Sequence, residues 1–251
     1  MIRFLLIALA LVATLSTPAP ANEYPALITG EWERSMFDGD LPYRIFGGRT
    51  IQAGKKYPMV IYLHGIHLRG KDNTKHLTGE AKSFSYPNNY KKRPCFIVAP
   101  QCPNWKTWRG ATSKKLTALI KALRVNLPVD PDRIYLCGYS MGGYGTWHLL
   151  AKQPSLFAAA APVSGGGDPE SVDGFKHIPI WAFHGEKDPI VSAEKSREMV
   201  AALRKVSTTV RHTEFRGAGH LVTRQVFLDE KFHRWLFAQK RSAALVQREE
   251  K

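Results

Sequence analysis

The chain has 251 residues and a formal net charge of +15 at neutral pH, with 44% hydrophobic and 23% charged residues. That length suits one α/β domain, and that composition is near the globular average, so a packed core is expected. The cations spread over segments such as "KKLTALIKALR" and "EKSREMVAALRKV"; no arginine-rich run interleaves with aromatics, which excludes a nucleic-acid-binding protein and leaves attraction to an anionic polymer or membrane surface.

In chain order, the first element is a targeting segment. Met1-Ile2-Arg3 supplies a positive start, "FLLIALALVATL" is a 12-residue apolar run, and Ala19-Pro20-Ala21 offers small residues for cleavage. The run is too short to span a bilayer well, so residues 1–21 read as a signal peptide cleaved after Ala21, making the mature chain secreted or periplasmic. One α/β domain over residues 22–238 follows, then a polar tail, 239–251, expected to fray. "PYRIFG" and "MVIYLHG" read as strands, as does "CFIVAP". "SKKLTALIKALRVNL" has Leu116, Leu119, Ile120, Leu123 and Val125 near helical spacing. "DRIYLCG" is a strand and "GGYGTWHLLAKQP" a helix. "FAAAAPVSG" and "IPIWAFHG" are further strands. "SAEKSREMVAALRKV" is a helix opened by Ser192, "VRHTEF" the last strand and "DEKFHRWLFAQ" the last helix. This alternation predicts an α/β fold: a mostly parallel central sheet with helices on both faces and no large lid.

Cys95 and Cys102 flank the strand "FIVAPQ", whose ends would lie roughly 20 Å apart when extended, beyond disulfide reach. With Cys137 placed inside the sheet, three free buried thiols are expected.

In parallel sheets ligands bind beyond the carboxyl ends of the strands, so the polar residues there are the ones that matter. Gly138-Tyr139-Ser140-Met141-Gly142 fits G-x-S-x-G between a strand and a helix, where a tight turn holds a nucleophile in strained geometry and glycines let its arms pass. Asp188 follows "IPIWAF" in a loop, and His220 follows "VRHTEF" through two glycines. The order Ser140, Asp188, His220 is that of nucleophile, orienting acid and base. Asp168 and Asp173, in the loop after "FAAAAPVSG", are rival acid positions. His64-Gly65 ends another strand; the loop after it would supply one oxyanion amide, Ile66 N–H, with Met141 N–H the other, and His64 would brace that loop. His67, Trp108 and Tyr139 are candidate substrate contacts; Trp147 is expected in the core. The histidine spacings match no metal motif, so no metal and no cofactor is expected.

Together "LPYRIFGGRTIQAGKKYPMVIYLHG", "RGKDN", "FIVAPQCP", "DRIYLCGYSMGGYGTW", "WAFHGEKDPIV" and "GAGH" resemble the α/β-hydrolase superfamily over residues 41–236. Within it, the nearest resemblance is to secreted carboxylesterases of the prolyl-oligopeptidase-like and phospholipase/carboxylesterase-like type. The resemblance implies a serine esterase with Ser140 as nucleophile, His220 as base and Asp188 as acid. Its substrate would be an ester of short acyl chains or one linked to a polysaccharide. One departure stands out: relatives carry "HG-x-G-E-R-G" where this chain has "HGIHLRG", with His67 and Leu68 in place of Gly and Glu. A peptidase on the same fold and a non-catalytic protein bound to an anionic polysaccharide or membrane surface are the alternatives.

Overall fold

In a computed structural model, the structure describes residues 31–47 and 52–241; the signal-peptide expectation therefore lies outside the described residues. Among the described residues eight strands form one sheet: β1 (Glu33–Phe37), β2 (Leu41–Phe46), β3 (Tyr57–Leu63), β4 (Phe96–Pro100), β5 (Val129–Tyr139), β6 (Ala159–Val163), β7 (Ile180–Gly185) and β8 (Val210–Phe215). Their spatial order is β1-β2-β4-β3-β5-β6-β7-β8. From β4 to β8 every pairing is parallel, whereas β2 runs antiparallel to both β1 and β4.

Strand β1 is absent from the sequence reading above. It is the first arm of a hairpin whose turn is Asp38-Gly39, both at positive φ (48° and 74°). Phe37 pairs with Leu41 across a connection of three residues, Asp38-Gly39-Asp40, and Asp and Gly are among the residues that best tolerate positive φ. The signal lay in "MFDGDL".

Side chains alternate across the sheet with period two, and the burial follows. Met59, Ile61 and Leu63 of β3 and Ile134 and Leu136 of β5 point into one core; Val60, Tyr62, Tyr135 and Cys137 point into the other. Helices α1 (Gly79–Lys82) and α2 (Pro87–Lys92) cover the second core. Helices α3 (Gly110–Asn126), α4 (Met141–Lys152) and α5 (Glu194–Val206) cover the first. Helices α6 (Thr223–Phe227) and α7 (Glu230–Phe237) complete the second layer. Each fully buried large apolar side chain contributes about 1.5–3 kcal/mol relative to exposure, so two dry cores hold the strand ends in fixed relation.

Val125 and the C-terminal tail depart from what their sequence pattern suggests. Val125 is 78% exposed, because it lies two residues past Leu123 and two residues turn a helix by about 200°, onto the solvent side. The C-terminal tail is anchored at its start. Tyr135 Oη donates to the Gln239 carbonyl at 2.9 Å, and Arg241 reaches the Ser155 carbonyl at 2.6 Å and Asp132 Oδ1 at 3.2 Å. Cys95, Cys102 and Cys137 are free and buried. Among the described residues no helix is long and apolar enough to cross a membrane.

Candidate active site

Strand β5 delivers Ser140 at its carboxyl end, and α4 begins at the next residue. Ser140 sits at φ 55°, ψ −116°, a backbone region that costs a side-chain-bearing residue on the order of 1–3 kcal/mol. Close crossing of the two arms imposes it. A methyl group on Gly138 would collide with the Gly142 carbonyl, and one on Gly142 with the Leu63 carbonyl of β3. The Ser140 N–H donates to the Val163 carbonyl of β6 at 2.9 Å. The turn is thus pinned to both neighbouring strands.

His220 arrives from β8 through Gly217 (φ 69°). Its loop is stitched to the β7 loop: Lys187 N–H meets the Ala218 carbonyl at 2.8 Å and Glu186 N–H the Phe215 carbonyl at 3.0 Å. Ser164 Oγ holds the His220 carbonyl at 3.1 Å. The result is a line of three side chains. His220 Nε2 lies 2.9 Å from Ser140 Oγ, and His220 Nδ1 lies 2.6 Å from Asp188 Oδ2. A carboxylate only accepts, so Nδ1 carries the proton and Nε2 presents its lone pair to the serine hydroxyl. Tyr139 lies over His220, ring centroids 5.1 Å apart.

The Asp188 side chain is fully buried. Burial alone would raise its carboxyl pKa. Hydrogen bonds from His220 and from the amides of Val191 and Ile190, both at 2.9 Å to Oδ1, outweigh that and hold it below the usual carboxylate range. A fourth partner escaped the sequence reading. His184 Nε2, at the end of β7, lies 3.1 Å from Asp188 Oδ2 and 2.9 Å from the Val191 carbonyl. Both are acceptors, so this nitrogen bears hydrogen. On its other side His184 Nδ1 meets Ser196 Oγ of α5 at 2.6 Å. The only sequence signal was its place four residues before Asp188 in "HGEKD".

The loop after β3 packs directly on the serine: a methyl group on Gly65 would lie 3.6 Å from the Ser140 Cβ. His64 braces it. Cys102 N–H donates to His64 Nε2 at 3.0 Å, so Nδ1 is the protonated nitrogen and donates to the Gly65 carbonyl at 2.7 Å. Burial pushes His64 down to about 3, keeping it neutral. Ile66 opens a single 3₁₀ turn, and Met141 opens α4, where the first amides of a helix lack intrahelical partners.

In front of Ser140 is a cavity of about 440 Å³, walled by Ile66, Arg109, Met141, Tyr144, Ile190 and Val191. Its lining is mainly apolar. The other expected residues fall as follows. His67 is exposed and does not line this cavity. Trp108 forms part of its wall yet has no exposed surface; its Nε1 donates to the His64 carbonyl at 3.0 Å, which makes it a second brace of the loop. Trp147 is buried in the core. Asp168 caps the 3₁₀ helix Pro169–Phe175 and Asp173 pairs with Lys176; neither is at His220. Among the described residues no three His, Cys, Asp or Glu side chains are grouped so as to hold a metal ion.

A mostly parallel eight-stranded sheet between two helical layers, with a serine at the strained turn after its central strand, is the α/β-hydrolase fold. The chain matches the dienelactone hydrolase family over residues 91–226 and belongs to that family. A thermostable esterase of known structure superposes with a TM-score of 0.79 at 35% identity, over 86% of this chain and 64% of that one. Among curated relatives, the probable feruloyl esterase C of Aspergillus flavus is 24% identical over 73% of this chain and 68% of its own length. The poly(3-hydroxyalkanoate) depolymerase C of Paucimonas lemoignei is 29% identical over 43% of this chain and 28% of its own length. The chain thus spans under a third of the depolymerase and just under two thirds of the thermostable esterase.

Proposed function

We propose that the chain is a serine carboxylic-ester hydrolase that works through an acyl-enzyme on short-chain or polysaccharide-linked esters. The observation that carries this reading is the line Ser140 Oγ–His220 Nε2–Asp188 Oδ2, at 2.9 and 2.6 Å, opening on an apolar cavity. Ser140 Oγ attacks the ester carbonyl carbon while its proton passes to His220 Nε2. Asp188 holds the ring and stabilises the imidazolium. The carbonyl oxygen, now negative, is met by the amides of Ile66 and Met141, each such donor being worth about 2.7–4 kcal/mol of barrier. The C–O bond to the alcohol breaks, and the alcohol leaves with the proton from His220. A water then attacks the acyl-enzyme with His220 again as base, and the acid departs.

The substrate class draws support from the open cavity mouth and from relatives whose names include feruloyl esterase and poly(3-hydroxyalkanoate) depolymerase. The basic charge has a location as well. Lys55, Lys56, Lys92, Arg93 and Arg133 surround a recess of about 410 Å³ at the amino ends of β3, β4 and β5, the far end of the sheet from Ser140. That supports attraction to an anionic polymer. Residues 1–21 have the pattern of a signal peptide, which supports export.

The test is Ser140→Ala together with labelling by a fluorophosphonate. Ester turnover falls by 10³-fold or more and labelling disappears. Full turnover on p-nitrophenyl esters in Ser140→Ala protein overturns the reading, and faster cleavage of aminoacyl-proline amides than of esters replaces it with a peptidase.

A further inference from the structure

Residues 103–106 close a turn: Lys106 N–H donates to the Pro103 carbonyl at 3.2 Å, and Trp105, third of the four, stands at φ 60°. A turn that needs positive φ at its third residue ordinarily takes glycine or asparagine, because a Cβ is strained there. Here tryptophan takes the place, and at 90% it is the most exposed large hydrophobic side chain among the described residues. Turn chemistry argues against that choice and core packing gains nothing from it. Backbone strain and a large exposed apolar side chain each mark surfaces that bind.

The turn is fixed relative to the reaction centre. Arg69 donates from Nη1 to the Lys106 carbonyl at 3.3 Å and from Nε to the Ile66 carbonyl at 3.1 Å, tying the turn to the loop that packs on Ser140. Further along the same segment, Thr107 and Arg109 line the Ser140 cavity. On the other side, Asn104 and Lys106 line a separate recess of about 310 Å³. Trp105 thus lies in the stretch of chain whose neighbouring residues line both recesses: Arg109 lines the first, and Lys106, with Lys71 and Lys115, the second.

We propose that Trp105 is a stacking platform for a sugar ring of an esterified, uronate-bearing polysaccharide. The ester lies in the Ser140 cavity, and the chain of sugars crosses the indole toward the recess beyond. The C–H face of a pyranose lies flat on an indole, and Lys106 and Arg109 donate to the hydroxyl and carboxylate oxygens on either side. A flat ring on a rigid turn loses little conformational freedom on binding, which suits a weak, repeated contact along a polymer. This platform rests on the reading of Ser140 as the nucleophile of an ester hydrolase and names the substrate of that site.

The test compares the native sequence with Trp105→Gly and Trp105→Tyr on acetylated, glucuronate-bearing xylo-oligosaccharides and on p-nitrophenyl acetate. In Trp105→Gly the ratio of kcat/KM on the oligosaccharide to that on the small ester falls about tenfold, mainly through KM. Trp105→Tyr keeps most of the ratio. The glycine also relieves the turn, so Tm rises, which a tryptophan held there for packing would not allow. A ratio within twofold of the parent, or a loss shared equally by both esters, overturns the platform. So does loss of binding to anionic phospholipid vesicles with the glycan ratio intact. Calorimetric titration of Ser140→Ala protein with the unesterified oligosaccharide, with and without Trp105→Gly, reads the platform without catalysis. Equal affinity in the two overturns it, whereas ester turnover surviving Ser140→Ala overturns the underlying reading instead.

Discussion

His184 Nε2 reaches Asp188 at 3.1 Å on Oδ2, the same carboxylate oxygen that meets His220 Nδ1 at 2.6 Å. One oxygen is therefore held by two imidazoles, and the other by two backbone amides. A carboxylate with every lone pair engaged cannot swing, and it is a poor base toward His220. Replacing His184 by leucine leaves Asp188 one partner short in a dry site, at a cost of about 1–3 kcal/mol in stability. Turnover is expected to fall about tenfold with little change in KM, because the substrate does not touch His184. His184→Gln, which keeps a donor, recovers part of the rate. Parent-like kcat in His184→Leu would show that two amides and His220 suffice to hold the acid.

The crossing of the two arms of the serine turn predicts a steep response to a single methyl group. Gly142→Ala drives a Cβ into the Leu63 carbonyl, which is backbone inside the sheet and cannot step aside. Overpacking of this kind costs about 1–3 kcal/mol or more, and each kcal/mol lowers Tm by about 2–4 °C in a chain of this size. Thermal unfolding followed by circular dichroism checks it. Gly174→Ala, where an added methyl meets nothing within 4 Å, is the matched control.

Two buried rings contribute to the acid sensitivity of the fold. Burial depresses His64 to about 3 and His76 to about 4, while both titrate near 6.5 in the unfolded chain. The unfolded state therefore takes up protons first as pH falls. The stability these rings contribute is complete above about pH 6.5 and drains away as pH drops toward 3, by up to a few kcal/mol each. Urea midpoints measured between pH 7.5 and pH 4.5 should decline accordingly. His76→Gln should flatten that decline; an unchanged slope would place the acid sensitivity elsewhere.

The three thiols are expected to be inert. Burial pushes Cys102 up to about 12 and Cys95 and Cys137 further still, so little thiolate forms at neutral pH. Ellman's reagent should find no reactive thiol in the folded chain and three after denaturation, with ester turnover unaffected by iodoacetamide. Rapid modification of the native chain would contradict this.

Much of the arrangement was legible because it is local. The strands of the parallel core are short apolar runs, and G-x-S-x-G carries its own geometric reason for being where it is. Asp188 and His220 could be chosen because each follows a strand end, where a parallel sheet presents its ligands. The rest needed the third dimension. Nothing in "HGEKD" says that His184 turns back onto the carboxylate four residues later; that depends on α5 bringing Ser196 to its other nitrogen. Trp108 reads as a residue of an exposed loop, yet Gly145 of α4 leaves the room that buries its ring. His67 follows the loop after β3 in sequence but is carried outward by the 3₁₀ turn.

Ser140, Asp188 and His220 follow β5, β7 and β8, and the turns that carry them are bonded to the strands and loops alongside. The exposed residues that line the cavity belong to different pieces: Ile66 on the single turn, Thr107 and Arg109 after the tryptophan turn, and Ile190, which is 71% exposed. None of these four side chains supports a strand. A chain built this way separates its engine from its jaws. Variation in a handful of loop positions can exchange one ester for another while the hydrolytic machinery is inherited unchanged, and grafting those loops from a relative is a direct route to a new specificity on the same sheet.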